Sequence, residues 1–490
     1  MQALTLALAA ASLPADRVTW WDPGVRGDVP QVPTRVTVAK TDDADAIQRA
    51  IDACPTPGAV LVPAGGYRIT KQLRLRAGVV LRGEGANKTK LVANFVKGGY
   101  AGAVGMYGAS SGKPLPVAGR VPAGAQSVEL AQPAKLAPGA FVMLNRDNDP
   151  NVMYTRKKWD VRYGHNAVGQ IVQVERVEGR RVHFDSPIRL DYEARFNPRL
   201  RPLKPIERAG IESLTITRED NGENFQIYIN CAVNCWVTDC ELTWCNRAHV
   251  WANASRWLTI RGNVIHHAHN YGGGGHGYGV VMSNASSDCL IEDNTFWWLR
   301  HSTMTKVGAC GNVFAYNASF KPCLSDVSIH GHFSYANLWE GNIMQWITSS
   351  DWWGPTGPFT TIFRNRASTL RIKDHSHRQN VVGNSIRGAF QIERSCRDAW
   401  VEGNWVMSGH REPGGTDTKM EGNVFGEASD GLAALPASLY LKAQPKWWPA
   451  DLPWPAIGAD VDIARTRAGQ PLHVIPAEAR YRRLVPPQER

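Results

Sequence analysis

An asparagine that returns at near-regular intervals between Gly262 and Phe425 constrains this chain more than any other feature. It sits in Arg-Gly-Asn-Val-Ile at 261–265, Glu-Asp-Asn-Thr-Phe at 292–296, Glu-Gly-Asn-Ile-Met at 340–344 and Glu-Gly-Asn-Val-Phe at 421–425. The full series is Asn263, Asn294, Asn317, Asn342, Asn365, Asn384, Asn404 and Asn423, in steps of 31, 23, 25, 23, 19, 20 and 19 residues. Short apolar runs flank most of these asparagines. Self-similarity at such a period marks a solenoid. Strand-sized runs without a helical period make it a parallel β-helix. Asn tolerates a left-handed turn between two strands, and its amide bonds local backbone. Stacked coil on coil, the amides also bond one another, which satisfies polar groups inside the solenoid. The flanking Val, Ile, Phe and Trp then point into a core that no single coil closes alone.

At 490 residues the chain has room for one long solenoid, and 46 Gly with 30 Pro make it turn-rich. No apolar run reaches the roughly 18 residues of a membrane-crossing helix, so no membrane partner is expected. Residues 1–15 are apolar and rich in Ala and Leu, as in a secretory signal, although no Lys or Arg precedes the apolar run. The expectation is a secreted or periplasmic protein. A net charge of +11 suits an anionic glycan. Nucleic acid fits less well, because the basic residues are scattered and carry no nucleic-acid motif. Four of the nine cysteines cluster at Cys231, Cys235, Cys240 and Cys245, without the C-x-x-C pairs of a zinc site. Cys235 and Cys289 fall at similar positions in their coils and read as stacked inward thiols, with a disulfide as the alternative.

In chain order, residues 16–40 read as extended. A short amphipathic helix follows, N-capped near Thr41–Asp43, with Ile47, Ala50, Ile51 and Cys54 on one face. Then come the strand pair GAVLVPAGGYRI at 58–69 and the strand GVVLRGEG at 78–85. This capped helix and strand order resembles the N-terminal cap of the pectate-lyase-like right-handed parallel β-helix superfamily. The resemblance covers residues 41–95 and, through the asparagines, 210–427. It implies the fold and no single reaction, since the superfamily holds lyases, glycoside hydrolases, epimerases and phage tailspikes. The expected organisation is an N-terminal cap and first coils over 16–100, a β-rich insertion over 101–209, the helix core over 210–430 and a Pro/Trp-rich tail over 431–490. The tail should cover an end of the solenoid or pack along it.

Alignment on the asparagines says which outward side chains neighbour each other. In the strands upstream of them, Val327/Ile329, Leu370/Ile372 and Phe390/Ile392 alternate inward, leaving Ser328/His330/His332, Arg371/Lys373/His375 and Gln391/Glu393 outward. The expected column is Lys306, His330, Asp351, Lys373 and Glu393, about 5 Å apart per coil. Such a column suits β-elimination from a uronic acid. Cations neutralise the carboxylate and lower the pKa of the α-proton, a Lys or His removes it, and an acid assists the leaving oxygen. His330 titrates in a useful range, Lys306 or Lys373 serve if crowding favours their neutral form, and Arg371 and Arg394 suit carboxylate binding.

Hydrolysis competes, and needs two carboxylates flanking the bond. Asp351 and Glu393 are two coils apart, with Asp326, Glu340 and Asp374 as further candidates, but no tight pair stands on one turn. No clustered acidic column marks a calcium site, so no cofactor is expected. A second patch, His266-His267-Ala268-His269-Asn270-Tyr271, runs through four glycines into His276-Gly277-Tyr278 and accounts for the longest step. It reads as a loop that approaches a ligand, through His276 and Tyr278, or binds a metal, or simply turns the chain. Among 18 tryptophans, Trp297-Trp298 and Trp352-Trp353 come as pairs, so one of each should face out and stack on sugars, with His332 beside them. The leading expectation is a polysaccharide lyase on an acidic glycan. A glycoside hydrolase and a non-catalytic glycan-binding spike are the alternatives. Composition is silent on oligomeric state.

Overall fold

The computed structural model describes residues 13–489 except 18, 40–42, 97–100, 154–165, 351–352, 409–410 and 430–431. Most of the stretch read as an export signal, together with Asp351 and Trp352, lies outside the described residues.

The chain is a right-handed parallel β-helix with few helices. One sheet of 13 strands starts at Thr34–Thr37 and ends at Lys419–Glu421. A second of 21 strands wraps the remaining faces, and its pairings are parallel as well. Each coil closes only a thin slice of core, so stability accumulates coil by coil. The interior is a continuous apolar column that includes Ile211, Ile260, Phe314, Trp339, Ile362 and Val401, each fully buried or nearly so. The expected cap helix spans Ala44–Ala53, and the Asp43 side chain accepts from the main-chain N–H groups of Asp45 and Ala46. Its Ile47 and Ile51 are buried against the first coils.

The asparagine ladder has a definite geometry. The Nδ2 of Asn263 donates to Oδ1 of Asn294 at 2.9 Å, and the Asn263 main-chain N–H donates to the same oxygen at 3.1 Å. The pattern repeats through Asn317, Asn342, Asn365, Asn384 and Asn404 to Asn423. The left-handed residue is not the asparagine but the one before it: Gly262, Asp293, Tyr316, Gly341, Arg364, Gly383, Gly403 and Gly422 all have φ between 51° and 71°. Glycine therefore precedes Asn at five of eight corners, because only there is a Cβ a cost. A second ladder, Asn312 to Asn337, bonds the same way at a neighbouring corner.

The nine cysteines are free thiols, and all but Cys323 are buried. Cys235 and Cys289 sit in the core column, as the stacked-thiol reading expected. Seven strands between Ala109 and Lys204 form an antiparallel sheet packed on the side of the coils. The tail runs along the 13-stranded sheet, burying Leu439, Tyr440, Trp448 and Ile457 over Val313, Leu338 and Phe363. It then forms two helices, Ala459–Arg467 and Pro476–Leu484, that its Pro and Trp content had hidden. Buried Arg364 holds it by a fork to Asp460, at 2.7 and 2.8 Å.

Candidate active site

The strands Phe225–Asn230, Ala248–Asn253, Tyr278–Ser283, His301–Thr305 and Val327–Ile329 stack in register, followed by the second halves of Ile343–Ser349 and Arg366–Ile372. Inward positions feed the core. Outward ones form one line, Tyr228, Trp251, Val281, Met304, Ser328, Thr348 and Arg371. Above this line lies a cleft of about 800 Å³.

The neighbouring line two residues on contains most of the expected column. The His330 N–H donates to the Thr305 carbonyl at 2.9 Å, that of Ser350 to Ile329 at 2.8 Å, and that of Lys373 to Ser349 at 3.1 Å. Lys306, His330, Ser350 and Lys373 are therefore level in successive coils, and all line the cleft. Ser350, not Asp351, holds the third place. The strand Ile343–Ser349 runs seven residues with no corner, which shifts the phase that the sequence pattern implied by one residue. Glu393 continues the line one coil on, but its Oε2 accepts from the main-chain N–H of Asp374 at 2.9 Å and it does not line the cleft. Arg394 is exposed outside the cleft. Arg371, His332, Trp353 and Tyr278 line it. His276 does not: Nδ1 bonds the Gly273 carbonyl at 2.9 Å and Nε2 the Glu223 carboxylate at 2.7 Å. It anchors the glycine loop, whose Gly273, Gly274 and Gly275 form one wall of the cleft.

Several lining residues escaped the sequence reading. Tyr228 and Trp251 lie on the floor with Phe225 beneath them. Arg300 and His301 open the strand that leads to Lys306. The His301 Nδ1 lies 2.7 Å from the Ser325 carbonyl, which can only accept, so Nδ1 carries the proton and Nε2 the lone pair. The signal for it in the sequence is its place at the start of the same outward strand that ends at Lys306.

The electrostatics are one-sided. Arg247, Arg300, Lys306, Arg371 and Lys373 line the cleft, and among its described lining residues there is no Asp or Glu. Arg247 is engaged with Glu223 at 2.8 Å. Burial holds His330 well below the usual imidazole range, reinforced by Lys306, His332, His301 and Arg300. Burial and then Lys306 push His332 down to about 3. Burial takes His301 to about 4, partly opposed by its bond to Ser325. All three imidazoles are neutral at neutral pH. His332 is 4% exposed, and neither of its ring nitrogens has a hydrogen-bond partner among the described residues. A buried polar group in that state is poised for a ligand.

The other carboxylates that hydrolysis would use serve the fold. Asp326 is fully buried and accepts from the N–H groups of Gln345 and Trp346 at 2.7 Å each, and burial raises it to about 6. Glu340 is buried beneath the tail, where it accepts from Leu439 N–H at 2.8 Å. Asp374 lies beyond the cleft. In the second patch, His266 stacks on Trp297 at 4.1 Å and its Nδ1 meets that of His267 at 2.7 Å. Among the described residues no group of three or more His, Cys, Asp or Glu side chains is placed to hold a metal ion.

Comparison with known proteins bears on the fold. The sequence profile of the family described as "Rhamnogalacturonase A/epimerase, pectate lyase-like" matches residues 38–113. No curated protein matches the chain in sequence. The tailspike protein gp49 from Pseudomonas phage LKA1 superposes with a TM-score of 0.54 at 14% identity, covering 78% of this chain and 70% of that one. The tailspike gp61 of Pseudomonas phage phi297 gives 0.51 at 10% identity, covering 78% and 72%. The fold is that of the pectate-lyase-like parallel β-helix superfamily.

Proposed function

We propose that this chain is a polysaccharide lyase that cleaves a uronate-containing glycan by β-elimination. One observation carries the reading: a cleft along the coils that joins several cations and three neutral histidines, with no carboxylate among its described lining residues. The carbohydrate-acting enzymes named in the matched family description support the substrate class.

The chemistry follows from the placement. Arg300 and Lys306 lie around His330 and neutralise the carboxylate of the reacting uronate, which acidifies the proton on the adjacent carbon. The neutral His330 imidazole takes that proton. The C–H electron pair becomes the new carbon–carbon double bond as the bond to the leaving glycosidic oxygen breaks. The imidazolium then returns its proton to that oxygen, so charge and atoms balance. Arg371 and Lys373, two coils or about 10 Å away, hold the carboxylate of a neighbouring uronate. His332 offers its nitrogens to a sugar hydroxyl, and Tyr228 and Trp251 provide an aromatic floor.

Hydrolysis has less support, since it requires a pair of carboxylates about the bond. Incubation with polygalacturonate, alginate and hyaluronan separates the readings. Elimination leaves an unsaturated uronate, so ultraviolet absorbance rises. New reducing ends without absorbance would replace the lyase by a hydrolase, and neither signal would leave a binding protein.

A further inference from the structure

We infer a second glycan-binding surface, separate from the cleft, on the solenoid corner that carries Trp244 and Trp298. The inference rests on the reading of this molecule as one that acts on polysaccharides.

Among the described residues three tryptophans are more than 40% exposed, and two of them, Trp244 and Trp298, share one corner. Strand pairing sets Thr243, His266, Trp297 and Phe320 level in successive coils. The next residues, Trp244, His267, Trp298 and Lys321, then form a line of their own. All four have left-handed backbone, with φ of 59°, 56°, 51° and 49°, so each coil turns the same way at this point. In the next coil the chain does not turn at this point: Trp346 lies within the strand Ile343–Ser349, one residue before Ile347, which pairs with Val327. Trp244 and Trp298 are thus two coils, about 10 Å, apart, with His267 between them and Lys321 one coil on.

The two indoles of this line are exposed although the neighbouring line is covered. Tyr481 of the helix Pro476–Leu484 stacks on Phe320 at 3.9 Å and meets Trp297 at 5.8 Å. The tail seals that inner apolar line and also meets the outer one at Lys321, whose ammonium donates to the Glu489 carbonyl, leaving the two indoles open. Exposed indoles at 43% and 42% are a cost unless something covers them. Polar groups alternate with the rings: His267 stacks on Trp244 at 5.0 Å, and the Lys321 ammonium is 5.4 Å from the Trp298 ring centre. An amphipathic ring beside a hydrogen-bonding group at each coil step is what a sugar chain requires, since its rings have apolar faces and polar rims. A glycan chain, or a second segment of the one being cut, is therefore the occupant. The row holds long polymer on the enzyme while the cleft acts.

The test is affinity electrophoresis in gels cast with polygalacturonate, alginate or hyaluronan. The wild type is compared with the double variant Trp244→Ala/Trp298→Ala and with Arg371→Ala/Lys373→Ala. The tryptophan variant should bind the retarding polymer about tenfold more weakly. Its kcat/KM on an oligouronide short enough for the cleft alone should be unchanged, which also reports an intact fold. Three results overturn the inference: equal retardation of wild type and tryptophan variant, no retardation of the wild type in any gel, or an equal loss on the short substrate. Retardation needs no turnover, so it decides the matter even if no unsaturated product forms, whereas the elimination reading fails on absorbance alone.

Discussion

His301 donates its Nδ1–H to the carbonyl of Ser325 at 2.7 Å, across two successive coils of the cleft. The bond fixes the tautomer and leaves Nε2 with its lone pair. His330 lies nearby among Lys306, Arg300 and His332, and burial with those cations keeps it neutral. A lowered pKa means that the neutral base persists as pH falls. The acid limb of kcat/KM should therefore lie below the usual imidazole value of about 6.5. A limb at or above that value would falsify the assignment of a cleft imidazole as the base. Glutamine at Lys306 should raise the limb, because a cation that disfavours protonation of His330 is removed.

His330 and Lys373 are level and two coils apart, and they should fail differently. His330→Ala should lower kcat by about 10²–10⁴, the range of general acid–base catalysis. Lys373→Ala should act mainly on KM, by about tenfold, because it removes one charge-assisted contact to a carboxylate away from the bond being cut. Steady-state kinetics on one polyuronide checks both. A kcat for His330→Ala within a factor of two of wild type would exclude it as the base.

The fold was legible because its signal is repetitive. Eight asparagines with apolar flanks state the coil period, and the cap helix announces itself through Asp43, Ile47 and Ile51. The cleft was legible only in part. Lys306, His330 and Lys373 could be aligned because their strands alternate cleanly. The coil at Ile343–Ser349 has no corner, so alignment on the asparagine that follows, Asn365, placed Asp351 where Ser350 stands. His276 seemed aimed at a ligand because glycines surround it. What turns it away is Glu223, 53 positions earlier, and no local pattern encodes that pair. The tail helices were hidden for a similar reason: Arg364–Asp460 and Arg366–Asp462 hold the first, and Arg480–Asp293 with Tyr481 on Phe320 hold the second, contacts between residues far apart in sequence and not a periodicity.

Asn342 gives a stability prediction that spares the cleft. Its Oδ1 accepts from the main-chain N–H and Nδ2 of Asn317, at 3.0 and 2.9 Å, and its own Nδ2 donates to Asn365. All three asparagines are fully buried. Asn342→Leu strands the Asn317 main-chain N–H, leaves Asn317 Nδ2 with only the Ile291 carbonyl, and takes the amide donor from the Phe314 carbonyl, while Asn365 Oδ1 keeps the main-chain N–H of residue 342. At about 1–3 kcal/mol for each stranded group, the loss should reach roughly 3 kcal/mol, read as a lower Tm. The kcat well below that Tm should match wild type. An unchanged melt would mean that the ladder adds no stability.

Glu340 sits beneath the tail, where its carboxylate accepts from the Leu439 N–H and from the Tyr316 hydroxyl, and burial raises its pKa to about 7. In the unfolded chain a glutamate titrates near 4.3. Between those values the folded protein holds a proton that the unfolded chain has released, so the stability this group contributes is full below about pH 4.3 and is lost as pH rises through about 7. The buried histidines act in the opposite sense. His301 and His332 stay neutral in the fold, whereas the unfolded chain gains protons below about 6.5, so they destabilise as pH falls. The two effects overlap between pH 4.5 and 6.5, and only a variant separates them. Glu340→Gln is neutral at every pH. Relative to wild type it should be favoured by roughly 1–3 kcal/mol at pH 8 and by nothing at pH 4.5. Melting curves of both proteins across that range give the difference directly. A gap that does not change with pH would show that Glu340 titrates in the fold as it does in the unfolded chain, and that the tail is not held over a protonated carboxyl.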